Sequence, residues 1–241
     1  MTKLRFFISI LIPLFAVFVF MSLIINGFYN TEYEKKPIIK DKIESMNTGY
    51  LYDFYIAGYP NIENRDYYGS KNASITMVAF LDIGSNASRY FISKVFPKLK
   101  MEYIDKSKVR FYSKEYLIKD DVSGKSDKFI YAKSLSCVNQ IKKDSYYEFY
   151  FNMFNLSDSG QISMLTDKYN IDSNLFKDCM DKLDFENIKE YYSEIENFGL
   201  VGIVPVFYIG INGRSNTILF GVPGFEKFNR TIRQFEVMVG D

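Results

Sequence analysis

The chain reads as an α/β protein behind one N-terminal transmembrane helix, and three observations carry that reading. No charged side chain falls between residues 6 and 29. Ile75–Leu81 is a compact β-branched and apolar run followed by a helical pattern, the order of a strand feeding a helix. Val204–Ile211 is a second such run, closed by the hairpin-type pair Asn212-Gly213 and a return strand at Asn216–Phe220. With a further strand at Lys108–Tyr116, the order is β-α-β, a helical block, then β-β-α.

The elements follow from local chemistry. Residues 6–29 are long enough to cross a hydrocarbon core of about 30 Å as a helix. Lys3 and Arg5 precede the stretch and Glu32 is the first charge after it. The positive-inside rule therefore makes 1–5 a cytoplasmic tip and puts the remainder outside. Pro13 is tolerated in such a span. A cleaved signal peptide competes with this reading, but the run is long for one and no clear small-x-small cleavage site follows. Either way the body lies in a disulfide-permissive space, and a signal anchor makes this a single-pass cell-membrane protein.

Residues 30–68 read as a stalk, charged between Glu32 and Lys40, with a helix over Asp41–Tyr55 and turn chemistry at Asn61–Gly69. The main domain is expected over 69–241. Ser88–Tyr103 places Phe91, Val95, Leu99 and Tyr103 four apart on one helical face. Pro97 falls inside that pattern and predicts a kink or break. Residues 127–197 read as several helices broken at Leu156–Gly160, and Phe225–Val239 as a terminal amphipathic helix.

Composition narrows the function. The 30 basic and 29 acidic residues leave no surplus for a polyanion, and no nucleic-acid-binding pattern is present. Twenty Tyr and 23 Phe without Trp are a compositional bias with no functional reading. The absence of His removes Ser-His-Asp and Cys-His catalysis, and with only two Cys it argues against a zinc site or a four-Cys iron–sulfur cluster. No cofactor is expected.

Several stretches together resemble one family. They are "GSKNASITMVAFLD" at the entry to the first strand, "VFPKLKMEYIDKSKVRFYSKEYLI" over the first helix and second strand, and "AKSLSCVNQ" and "NLFKDCMDK" in the helical block. "GLVGIVPVFYIGING" and "GVPGFEKFNRTIRQ" complete the series. Their order is similar to that of the DsbA-like branch of the thioredoxin-fold oxidoreductases. The resemblance covers about 170 residues from Gly69 to the end. It implies a thioredoxin fold with a helical domain inserted at about 125–197.

In that family two cysteines flanking two residues open the first helix. The matching positions here are Ser85-Asn86-Ala87-Ser88, so the nucleophilic Cys falls on Ser85 and the resolving Cys on Ser88. Exchange needs a thiolate. A helix N-terminus lowers a Cys pKa by several units from about 8.5, but no such field ionises a serine near neutral pH. No dithiol cycle is expected, and catalytic residues are not assigned. The bland role for Ser85 is a helix N-cap. A serine nucleophile lacks a base.

The resemblance implies three further things. Val204-Pro205 matches the family's cis-proline dipeptide, whose loop faces the active-site turn and whose backbone pairs with an extended substrate strand. Such pairing requires no cysteine. Cys137 and Cys179 match positions where relatives carry Cys, and in an oxidising compartment they are expected to form a disulfide. The sequons at Asn72, Asn86, Asn155 and Asn229 read as chance in an Asn-rich chain.

Two functions remain open. One is a redox-inactive, membrane-anchored binder of extended or unfolded polypeptide, or of a membrane protein partner, held in the lipid bilayer by residues 6–29 and without nucleic acid. The other is a thiol-disulfide oxidoreductase present as a Cys-to-Ser variant.

Overall fold

The computed structural model describes residues 59–63, 65–118, 121, 126–183, 193–211 and 215–240. The expected membrane span, the helix over 41–55 and the Asn212-Gly213 turn lie outside the described residues. Among the described residues no helix is long and apolar enough to cross a membrane.

The fold is thioredoxin-like, with a helical insertion. Among the described residues four strands form one sheet: β1 (Ile75–Leu81), β2 (Val109–Glu115), β3 (Val206–Ile211) and β4 (Ser215–Phe220), in the order β2-β1-β3-β4. β1 and β2 are parallel, with Leu81 opposite Glu115. β3 runs antiparallel to β1, with Phe80 opposite Val206, and antiparallel to β4. Strand β1 is buried along its whole length because both its faces pack. Ile75, Met77, Ala79 and Leu81 face one core, while Val78 and Phe80 face another. A strand covered on both sides reads as a continuous apolar run instead of an alternating one, and that is how it stands in the sequence.

Helix α1 spans 86–104 in four segments: α-helical Asn86–Tyr90, a π turn Phe91–Val95, α-helical Phe96–Leu99 and a π turn Lys100–Ile104. The kink or break expected at Pro97 takes the form of a change from π to α geometry at Phe96. The Phe96 N–H reaches back five residues to the Phe91 carbonyl, and Pro97 sits in the first turn of the segment that restarts there. A π turn rephases the ladder so that the missing proline N–H falls where an orphan donor would be. The apolar face survives: Phe91, Val95, Leu99 and Tyr103 are all buried.

The helical block comprises α2 (Asp127–Ile141), α3 (Tyr146–Met153), α4 (Ile162–Lys168) and α5 (Ser173–Lys182), and α6 (Phe225–Val239) closes the chain. Phe91 of α1, Phe207 of β3 and Phe228 of α6 meet with ring centroids 4.5–5.6 Å apart. Such aromatic contacts add to the area they bury. Arg89 of α1 donates to the Phe154 carbonyl at 3.0 Å, joining α1 to the end of α3. Cys137 of α2 and Cys179 of α5 form a disulfide with Cα atoms 5.8 Å apart.

The packed body begins before Gly69. Tyr59 and Ile62 pack on the second core, so this end of the expected stalk is not a solvated spacer. Buried Lys114 of β2 pairs with Glu194 and donates to the Asn61 carbonyl, and Glu194 accepts from the Asn61 N–H at 2.6 Å. Tyr68 and Phe111 exchange both backbone hydrogen bonds as an isolated antiparallel bridge. Gly69 makes this approach possible. Its φ of +110° suits glycine, and a Cβ there would lie 2.8 Å from Ile104 Cγ2.

The disulfide closes a loop between positions 42 apart, which in the chain-entropy picture is worth about 4 kcal/mol before native strain is subtracted. Replacing both cysteines by Ala is expected to lower the midpoint of chemical unfolding by an amount equivalent to about 2–4 kcal/mol. An unchanged midpoint would mean that the helical block is ordered independently of the cross-link.

Candidate functional site

One end of the sheet gathers the candidate residues. The carboxyl end of β1 leads into the Asp82–Ser85 turn, and the loop before β3 arrives beside it. Continuing the β1/β3 register two residues beyond the Phe80–Val206 pair sets Asp82 level with Val204. Thus Ser85, Ser88, Val204 and Pro205 share this end of the fold. Cys137 and Cys179 do not. Cys137 lies nine residues along α2 from Lys128, which pairs with Asp82, and so about 13 Å further along the helix axis.

The turn is built by its own polar groups. The Ser85 N–H donates to the Asp82 carbonyl at 2.9 Å, and the Gly84 N–H donates to Asp82 Oδ1 at 2.8 Å. Ser85 takes the extended N-cap conformation, and its Oγ accepts from the Ser88 N–H at 3.5 Å. Ser88 is wholly buried, and its Oγ accepts from the Asp82 N–H at 3.1 Å. One hydroxyl caps the helix and the other ties the helix back to the end of β1. Among the described residues no carboxylate or amine hydrogen-bonds to either hydroxyl. No group of three or more Cys, Asp or Glu among those residues is arranged to hold a metal ion.

The opposing loop ends in a cis Val204-Pro205 bond. Pro205 is buried and Val204 half-buried. The Pro205 carbonyl accepts from the Gly221 N–H at 2.9 Å, which fixes the loop to the end of β4. Among the described residues the N–H and C=O of Val204 take no hydrogen-bond partner. Exposed Tyr90 on α1 and exposed Val201 in the loop add apolar surface to the two elements that bound this end.

Charged and hydroxyl groups that sequence reasoning missed lie beneath the turn. Asp82 is buried and pairs with Lys128 of α2 at 3.1 Å, and Lys128 also reaches Asp121 at 3.6 Å. Burial alone would lower the Lys128 pKa, but the two carboxylates outweigh it and hold the amine above its ordinary value. Glu115, opposite Leu81, is buried and accepts from the Tyr146 hydroxyl at 3.2 Å through Oε1. Its Oε2 has no hydrogen-bond partner among the described residues. Desolvation raises the Glu115 pKa, and the attraction of Arg65 only partly opposes this.

That shift has a sign. A carboxyl group whose pKa is raised on folding keeps its proton longer in the native state, so its contribution to stability is complete below the ordinary Glu pKa and is lost as pH rises through the folded value. Glu115→Gln, which retains an acceptor for Tyr146, is expected to melt above the native protein at pH 7.5, with the difference vanishing near pH 4. A variant melting lower at pH 7.5 would show that Glu115 is ionised and favourably solvated.

Comparison with known proteins agrees with this architecture. The family described as Thioredoxin matches residues 62–218. "Disulfide bond formation protein D" of Bacillus subtilis is 34% identical over 56 residues, a stretch that is 23% of this chain and only 25% of that protein. Among solved structures, Wolbachia pipientis alpha-DsbA1 superposes with a TM-score of 0.61 at 22% identity, covering 73% of this chain and 92% of that one. Oxidised BdbD from Bacillus subtilis gives 0.57 at 19%, covering 74% and 96%. The chain belongs to the thioredoxin family, and its fold is that of the DsbA-like members.

Proposed function

We propose that this is a membrane-anchored, extracytoplasmic member of the family that binds extended or unfolded polypeptide, or a membrane protein partner, without thiol-disulfide exchange at its helix N-terminus. The observation that carries the reading is the pairing of two spent hydroxyls with one open backbone. Ser85 and Ser88 are engaged in capping and in tying the helix to β1. Val204, level with that turn, keeps a donor and an acceptor available to an incoming strand. Strand addition draws its affinity from main-chain hydrogen bonds and needs no sulfur. The anchor reading rests on the charge-free residues 6–29 and on Lys3 and Arg5 before them.

A second reading is a disulfide oxidoreductase carrying Ser in place of Cys at 85 and 88. The cap geometry favours it, because the turn keeps the strand-turn-helix form in which a helix N-terminus depresses a thiol pKa. Codons 85 and 88 of the source gene separate the two readings directly.

The protein is expected neither to reduce insulin nor to oxidise a reduced client, and to bind fluorescein-labelled, carboxymethylated lactalbumin with an affinity that falls in Val204→Asp. Turnover comparable to that of a dithiol enzyme of the same fold would overturn the first part. Binding unaltered in Val204→Asp would move the polypeptide site elsewhere.

A further inference from the structure

We infer that Tyr116 is the positioning residue of this site, the strut that holds the loop before Pro205 at a fixed distance from the serine turn. The inference rests on the polypeptide-binding reading above and names the residue that shapes that site.

Tyr116 follows the last residue of β2. Its backbone N–H donates to the Leu81 carbonyl at 2.8 Å, the last carbonyl of β1 before the Asp82–Ser85 turn. Its side chain crosses to the other wall. The buried hydroxyl donates to the Leu200 carbonyl at 3.0 Å and accepts from the Gly202 N–H at 2.5 Å. A single residue is thus bonded to both sides of the site, through its main chain on one and its hydroxyl on the other.

The loop between these bonds turns through two glycines. Gly199 and Gly202 take positive φ values of 67° and 84°, a backbone form with little intrinsic preference for one fixed loop. Leu200 is buried in the second core and Ile203 and Val204 pack against it, while Val201 between them is exposed. Beyond it, Ile203 and Val204 are half-buried. The Leu200 carbonyl also accepts from the Ile203 N–H at 3.0 Å, closing the turn, and the Tyr116 hydroxyl ties that turn to the end of β2. Burial raises its pKa against the opposing pull of the Gly202 and Ile203 backbone, so the hydroxyl stays protonated and keeps both roles through the physiological range.

Tyr116→Phe keeps the ring and deletes both bonds. A loop that occupies its binding-competent form a tenth of the time binds about tenfold more weakly. The full chain in detergent micelles is titrated with fluorescein-labelled, carboxymethylated lactalbumin. The Kd is expected to rise about tenfold in Tyr116→Phe, with most of the change in the association rate, while amide exchange at 200–204 accelerates and exchange in β1 and β3 does not. Tyr147→Phe is the matched control, because it removes another buried hydroxyl, one bonded to the Asp66 carbonyl at 2.8 Å. It should lose stability and retain affinity.

Native binding with an unchanged Kd in Tyr116→Phe, or an equal loss in Tyr147→Phe, overturns the strut. Absence of binding in the native protein overturns the polypeptide reading and the strut with it. If Tyr116→Phe does not fold, exchange on the native protein decides. The Gly202 amide should be protected well above its open-chain rate, and an unprotected amide there overturns the inference.

Discussion

Everything in this fold is placed by a central strand buried on both faces. β1 has no solvent side, so each of its residues is committed to one of two cores, and a slip of one residue would exchange the sets. Ile75, Met77, Ala79 and Leu81 lock the face covered by α1, α6 and the helical block, while Val78 and Phe80 lock the face that receives Tyr59, Ile62 and Phe198. With β1 fixed, β2 and β3 take their registers from it. The turn after Leu81 and the loop before Val206 then meet at one end.

Much of this was legible in the sequence because it rests on local pattern. The terminal helix shows a plain amphipathic repeat, and the strands stand out as apolar runs between polar turns. Pro97 marks an irregularity whose form the sequence does not give. A rule about α-helices predicts a kink or break, and π turns let the chain keep Phe91 and Leu99 on one face around it. Residues 59–68 misled, because their charges and turn residues conceal Tyr59, Ile62 and Tyr68, which find partners only in the folded sheet. Tyr116 and Glu115 were invisible for the same reason. Nothing local distinguishes a strand-end tyrosine that reaches a loop more than 80 residues later from one that merely ends a strand.

At the helix N-terminus, a change from sulfur to oxygen alters what the same geometry does. The positive end of a helix favours an anion, and a thiol there gives up its proton near neutral pH. A serine keeps its proton and caps the helix instead. The Ser88 hydroxyl goes further, receiving the Asp82 N–H in a fully buried position. The turn is thus held to the end of β1 by its own hydroxyls.

The bridge between Tyr68 and Phe111 has a consequence for neighbouring copies of the chain. An outer strand offers unpaired donors and acceptors, a template for joining sheets edge to edge. At the middle of β2 those groups are already taken, since Phe111 both gives to and receives from Tyr68. Beside it, the Arg110 guanidinium lies between the Tyr67 and Tyr112 rings, 5.6 and 5.9 Å from their centroids. A second molecule approaching this border would have to peel away a covered and charged seam before it could pair, so the chain carries its own guard against sheet extension on that side.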